Sequence, residues 1–346
     1  MLSRPSLEQE LTPRISVVMG VYDAEAFLEE TLASVYAQSL HDWELIVVND
    51  ASVDNTAGIL EKWAANDDRI RVITLSENKG LTHALIVACQ AARGEYLARQ
   101  DSGDLSLPHR LQRQASYLDQ NPQVIAVGPG VRRIGPLGEN LGDQVRNISP
   151  ERLTRQFLET GKSIVHSGAM IRRTIFETAG GYRTQFRVAQ DIDLWYRLTT
   201  LGMLAEIPEV LFCVRIDAMG ITARSNAKQH ALAAIARSSF QALQDGKSDA
   251  ALMQEAARIS DERKPGKVGK ILLRKQEGEG NYFLGSELFR SRNANCRRYF
   301  LRSFVLRTHV CLSIGKYFLS LFTCGSIACT RQETDTTFPI QQESLL

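Results

Sequence analysis

Between Ile15 and about Asp104, short apolar runs alternate with stretches in which apolar residues recur every three or four positions, the pattern of strands and helices taken in turn. ISVVMGV reads as a buried strand. The stretch after it puts Phe27, Leu28, Thr31, Leu32, Val35 and Tyr36 on one helical face, with Asp23 available as its cap. ELIVVND is a second strand and DNTAGILEKWAAN the helix behind it; IRVITL, LTHALIVACQAA and EYLARQD continue as strand, helix and strand. Each strand runs into a loop rich in Asp, Asn, Ser or Gly, and open α/β sheets bind ligands at that edge.

LPHRLQRQASYLDQNP then reads as a helix stopped by Pro122, followed by VIAVG and a Gly-rich, turn-prone stretch to about Pro150. SIVHSGAMIRR reads as a strand, GGY as a turn, DIDLWYRLTTLG as a helix closed by Gly202, and VLFCVRI as a late strand. Beyond about Asn226 only helices are expected, broken by the charged loop SDERKPGKVGK, with a polar, disordered tail from Thr330. The expected fold class is α/β, Rossmann-like, a mostly parallel sheet flanked by helices with a C-terminal helical extension. The divisions are 14–105 and 106–225 within one domain, a helical region 226–330, and the tail 331–346.

Composition changes this picture little. The chain has 346 residues, and 41 Lys plus Arg nearly cancel 39 Asp plus Glu, so no global field argues for nucleic acid. Six cysteines show no CxxC spacing and no pairing with His, which excludes a zinc-site reading. The opening residues lack the apolar stretch of a secretory signal, so a reducing cytoplasm without disulfides is expected.

Chemistry enters with RQDSGD, where a strand delivers Asp101 and Asp104 to a loop. Hard oxygen ligands of this kind suit Mg²⁺ or Mn²⁺, which complete their shells with substrate phosphates and water. The order ISVVMGVYDAE, VVNDASVDNT, ENKGLTHALIVACQAARGEYLARQDSGD and GGYRTQFRVAQDIDLWYRL, over residues 14 to 220, resembles a family 2 glycosyltransferase of the GT-A fold. The resemblance implies an inverting transfer of sugar from a nucleoside diphosphate, by default a UDP-sugar, to a hydroxyl of a glycan or lipid-linked acceptor in bacterial surface polysaccharide or lipopolysaccharide assembly.

Carried over residue by residue, the resemblance puts Val21, Tyr22, Asp23 and Asp50 at the nucleoside and Lys79 near the diphosphate. It puts Asp101 at the ribose and metal, Asp104 at the metal, and Asp191 in the role of base. Asp23 stands where Asn is usual, Gly103 where a further Asp often lies, and Gln190 where Glu precedes the base. An amide orients an acceptor but takes no proton, which leaves the base role to Asp191. His166, Gln190 and Trp195 fall on the acceptor side, while Asp193 and Arg197 read as structural. Arg215 lies in RIDAMGIT, where the family has a different pattern.

Two other readings share these residues. Sugar-1-phosphate nucleotidyltransferases have similar carboxylates but open with a Gly-rich phosphate loop, which GVYDAE is not. A degenerate transferase acting as a nucleotide-sugar-binding module is suggested by Gly103 and Gln190. Finally, VCLSIGKYFLSLFTCGSIAC approaches spanning length but carries Lys316, and CRRYFLRSFVLRTH mixes Arg with large apolar residues. The expectation for 297–329 is attachment to the inner face of the cytoplasmic membrane, against a helical hairpin packed on the domain.

Overall fold

The computed structural model describes residues 12–216, 226–261, 266–306 and 308–324. The tail from Thr330, the end of RIDAMGIT and part of SDERKPGKVGK lie outside the described residues. The strands are β1 (Ile15–Val21), β2 (Trp43–Asn49), β3 (Ile70–Thr74), β4 (Tyr96–Arg99), β5 (Leu105–Ser106), β6 (Val124–Ile134), β7 (Asn140–Gln144), β8 (Met170–Arg172) and β9 (Met203–Arg215). The helices of the sheet domain are α1 (Leu28–Tyr36), α2 (Thr56–Asn66), α3 (Leu81–Ala91), α4 (Arg110–Gln120), α5 (Pro150–Thr160), α6 (Arg173–Thr178) and α7 (Gln190–Leu198). After them come α8 (Asn226–Gln244), α9 (Ala250–Asp261), α10 (Gly266–Arg290), α11 (Cys296–Val305) and α12 (Val310–Thr323).

One sheet runs in the order β3-β2-β1-β4-β8-β6-β9-β5, with β7 on β6. β1 pairs in parallel with β2 and β4, and β2 with β3, as βαβ crossovers require. The second half is mixed, because β8 runs antiparallel to both β4 and β6. β1 is apolar along its length since both its faces are covered. Val17, Met19 and Val21 join Leu28, Leu32 and Leu111 on one side, and Val18 joins Leu85 and Trp195 on the other. At Gly20 an added Cβ would stand 2.9 Å from that of Ala84, so α3 packs directly on the strand.

Several expectations need correction. SIVHSGAMIRR is not one strand: His166–Gly168 form a 3-10 turn, and only Met170–Arg172 pair in the sheet. α5 occupies part of the stretch left between the turn-prone segment and that strand. It has a Ser149 cap, Pro150 in its first turn and a left-handed Gly161 after its end. Asp23 does not cap α1, which begins from Phe27 without a side-chain cap.

Candidate functional site

The loops after β1 and β2 are stitched side by side. Val53 N donates to Asp23 Oδ1 at 2.9 Å, and Asp23 N donates to Ser52 Oγ at 3.0 Å. Further along, Ala24 N reaches Thr56 Oγ1 at 2.8 Å, Glu25 N reaches Asp54 Oδ2 at 3.0 Å, and Asn55 N reaches Glu25 Oε2 at 2.9 Å. Asp23 itself holds a left-handed conformation, φ 47°, which Asp tolerates better than most residues. Val21 ends β1 buried, and the Tyr22 ring stands exposed beside this double loop. Asp50 is buried, its two oxygens accepting from Lys79 N at 2.8 Å and Gly80 N at 2.7 Å. That carboxylate therefore fixes the turn that enters α3, and Lys79 projects from the turn with its ammonium 3.5 Å from Glu77.

The RQDSGD loop rests on two buried guanidinium groups. Arg110 is fully buried and donates to Arg99 O, Gln100 Oε1, Ser106 Oγ and Gln114 Oε1. Burial pushes its pKa down to about 9. Arg99, also buried, donates to Gln100 O and to Asp101 Oδ1. From the other side Arg215 closes the loop: its backbone N–H donates to Asp104 Oδ1 at 2.8 Å and its Nε to Gly103 O at 2.9 Å. Thr31 adds a hydroxyl that accepts from Gly103 N at 2.9 Å and donates to Asp104 O at 3.1 Å. Gly103 sits at φ +95°, a region that disfavours any residue with a Cβ, so its departure from Asp has a backbone reason.

Asp101 keeps 35% of its side chain exposed, whereas Asp104 is buried. Burial, with the charge of Asp101 added, pushes Asp104 up to about 7. Two hard carboxylates in one loop fit a divalent cation that takes its other ligands from phosphates and water. Among the described residues no group of three or more His, Cys, Asp or Glu gathers as a complete cage.

Asp191 lies in the first turn of α7, one residue after the buried Gln190. Ala189, at φ 58°, turns the chain into that helix, so Asp191 is not its N-cap. Burial raises the Asp191 carboxyl; backbone N–H groups and Arg99 oppose that, and the charge of Asp101 reinforces it. Asp191 and Asp101 thus lie close enough to feel each other's charge, with Arg99 acting on both. Tyr182, directly after the Gly180-Gly181 turn, hydrogen-bonds His166 Nε2 at 2.7 Å and belongs to the same electrostatic neighbourhood. Burial, then Arg99, lowers the His166 pKa well below its usual value, which leaves a neutral imidazole.

Trp195 departs from the expected acceptor platform. It is 0% exposed and packs edge-on to His166 at 6.0 Å, so neither ring face is open to a sugar. Asp193 and Arg197 pair along α7 at 2.6 Å, as their spacing suggested. Sequence reading passed over Arg99, Arg110, Thr31 and Tyr182, and gave Arg215 no role. A groove of about 760 Å³ lined by Arg146, Arg152, Arg155 and Glu159 shares no residue with this rim.

Comparison with known proteins followed the same residues. The family model Glycosyl transferase family 2 matches residues 16–180. EpsE of Bacillus subtilis (strain 168), named as a glycosyltransferase, is 35% identical over 217 residues, which is 62% of this chain and 77% of that one. The amylovoran biosynthesis glycosyltransferase AmsE of Erwinia amylovora is 29% identical, over 58% of this chain and 75% of its own. Among solved structures, S. aureus TarS 1-349 in complex with UDP aligns with a TM-score of 0.51 at 16% identity, covering 89% and 90% of the two chains. The mannosyltransferase PcManGT of Pyrobaculum calidifontis, in complex with GDP-Man and Mn2+, aligns at 0.51 with 18% identity, covering 88% and 87%. The architecture is the GT-A fold, with a helical C-terminal extension.

Proposed function

The chain belongs to glycosyl transferase family 2, and on that premise we propose that it moves a sugar from a nucleoside diphosphate to a hydroxyl of a glycan or lipid-linked acceptor, with inversion. The observation that carries the reading is the grouping of Asp101 and Asp191 around Arg99, a carboxylate for the donor side and another for the acceptor side of one site.

In this scheme the acceptor oxygen attacks the anomeric carbon, and the bond from that carbon to the diphosphate oxygen breaks. Asp191 takes the hydroxyl proton, a task helped by burial that raises its basicity toward the working pH. The stitched loops of Val21, Tyr22, Asp23 and Asp50 present the nucleoside platform, and Lys79 stands toward the diphosphate. Arg99 and Arg215 hold the RQDSGD loop in one shape before the donor arrives, so the reaction need not reorganise it. Asp101 and Asp104 would hold Mg²⁺ or Mn²⁺, which supplies charge stabilisation to the departing diphosphate. His166 and Gln190 line the acceptor side.

UDP is the favoured nucleotide. TarS is a UDP complex and PcManGT a GDP-Man complex, so the diphosphate is common to both and the base is the variable. The names of two proteins to which the chain is similar, the amylovoran biosynthesis glycosyltransferase AmsE and the O-antigen biosynthesis glycosyltransferase WbnJ of Escherichia coli, support a place in bacterial polysaccharide assembly. A thermal-shift screen of UDP-, GDP- and dTDP-sugars, with and without Mn²⁺, tests the reading, since a ligand of the native state raises its melting temperature. Stabilisation by a UDP-sugar that grows with Mn²⁺, together with slow release of diphosphate, is the expected result. Binding without any turnover toward water or acceptor would instead describe a nucleotide-sugar-binding module.

A further inference from the structure

α12 turns serines inward and large apolar side chains to water, and α11 beside it, though it buries Cys296, Tyr299 and Phe300, exposes Leu301, Phe304 and Val305. On α12 the inward stripe is Ser313, Tyr317 and Ser320, with both serines fully buried. Leu312, Phe318, Leu319 and Phe322 cover the outward arc, and Phe322 is 87% exposed. Polar contacts reinforce a small apolar cluster of Cys296, Tyr299, Phe300, Tyr317 and Cys324 between the two helices: Ser313 Oγ meets Ser303 Oγ at 3.1 Å, and Arg297 donates to Ser320 O and Cys324 O, each at 2.8 Å. On α11, Leu301 and Val305 share the outward face with Arg298 and with Arg302, which is paired with Glu277 at 2.8 Å. Eight of the sixteen exposed large apolar side chains among the described residues lie on these two short helices, so the apolar surface is a patch and not scatter.

The charge is equally one-sided. Between Glu287 and Glu333 the sequence has seven Arg and one Lys and no carboxylate, a net of +8; with the whole chain at +2, the remainder carries 2 − 8 = −6. Apolar side chains beside a run of cations match an anionic lipid surface. A second copy would bring the same basic face against itself, which like charges oppose.

We propose that the outward face of α11 and α12 binds an anionic bilayer, lying within its interface. α12 has 14 residues and extends about 21 Å, short of the roughly 30 Å hydrocarbon core, so it lies in the surface and does not cross it. The inner face of α11 is tied to the reaction rim. Tyr299, buried on that face, donates to Glu139 at 3.0 Å, and the same 135–139 turn accepts from Arg215, whose backbone holds Asp104. The surface itself is independent of the reaction proposed above.

Co-flotation of the full chain with vesicles tests it without any turnover. Binding is expected to phosphatidylglycerol–phosphatidylcholine vesicles, at least tenfold weaker to pure phosphatidylcholine, and weakening with salt. The double variant Phe318→Ser, Phe322→Ser is expected to lose flotation while its melting temperature and donor hydrolysis stay at wild-type values. Arg298→Gln should weaken binding about fivefold, the factor for one basic residue at such a surface; if the double variant melts early, Arg298→Gln with Phe322→Ser alone decides. Failure of the wild type to float, equal binding to neutral vesicles, or a variant that floats like wild type overturns the proposal. So does a sedimenting dimer that dissociates on Phe322→Ser without flotation, which assigns the face to a second copy.

Discussion

Beneath the RQDSGD loop the protein buries what folding usually leaves in water, whereas on α11 and α12 it leaves outside what folding usually buries. Arg99, Arg110, Asp50 and Asp104 are all buried and held by hydrogen bonds to neighbours, with Arg99 Nε alone of that guanidinium left without one. Leu312, Phe318 and Phe322 are exposed over helices joined by serines and a small apolar cluster. The two departures teach different things. Buried charge has a desolvation cost that only a dense hydrogen-bond network offsets, and such a network fixes geometry for a ligand. Exposed apolar surface has no such compensation within the chain, so its partner is outside it.

The strongest way to break the first half of that contrast is Asp191→Asn. If this half-buried carboxylate is the base, turnover falls by about 10²–10⁴ while donor affinity measured by calorimetry is unchanged. pH sharpens the test. Burial raises the folded-state pKa of Asp191 above its unfolded value. Its stabilising share is therefore full below the unfolded value, about 4, and is lost as pH rises through the folded one. Asparagine removes that loss, so the variant's melting temperature should gain on wild type between pH 4 and 8. An unchanged turnover would remove Asp191 from the chemistry whatever the melting curves do.

Arg110→Leu addresses the network. Removing the guanidinium takes a donor from Gln114 Oε1, Arg99 O, Ser106 Oγ and Gln100 Oε1, the last of which keeps only the hydroxyl of Ser106. A loss of about 3–5 kcal/mol in urea unfolding is expected, because the orphaned acceptors are not rehydrated. A loss under 1 kcal/mol would mean that the buried cation contributes little to the shape of the loop.

Much of this was readable in advance, and the failures have physical causes. The strands β1, β2 and β4 and the loops after them follow from apolar runs that end in Asp, Asn, Ser and Gly, since parallel strands covered on both faces are mainly apolar, with Ser16, Glu44 and Arg99 as the buried exceptions. α5 was legible too: Ser149, Pro150 and Gly161 are its start and stop signals, overlooked because a Gly-rich stretch precedes it. The 3-10 turn at His166 was not legible, because its Val and Met neighbours read like a strand until Tyr182 and Trp195 pull the imidazole inward. Buried arginines are invisible to patterning, which assigns every Arg to the surface. Trp195, which the resemblance set on the acceptor side although such a residue is more often core, is fully buried.

Gly103→Ala tests a smaller effect on the rim. The left-handed φ of +95° at this position disfavours any Cβ, although no neighbour comes closer to it than 3.9 Å. The strain alone should lower stability by about 1–2 kcal/mol. Since Gly103 O and N are both held, by Arg215 and Thr31, the shift would reach Asp104 and weaken Mn²⁺-dependent nucleotide stabilisation in a thermal-shift assay. Normal stability with normal nucleotide response would show the loop to be more pliant than its contacts suggest.

The smallest expected change is the most telling for the other half of the contrast. In a water-facing core, replacing a phenylalanine removes about 3–5 kcal/mol. Phe322→Ser in solution should change unfolding free energy by no more than about 0.5 kcal/mol, because the ring at 87% exposure has almost no packing to lose. If the loss instead approaches core values, the ring is covered within the chain or by a copy of it. The outward face of α12 would then be ordinary packing surface, and the comparison between buried charge and exposed apolar side chains would lose its second term.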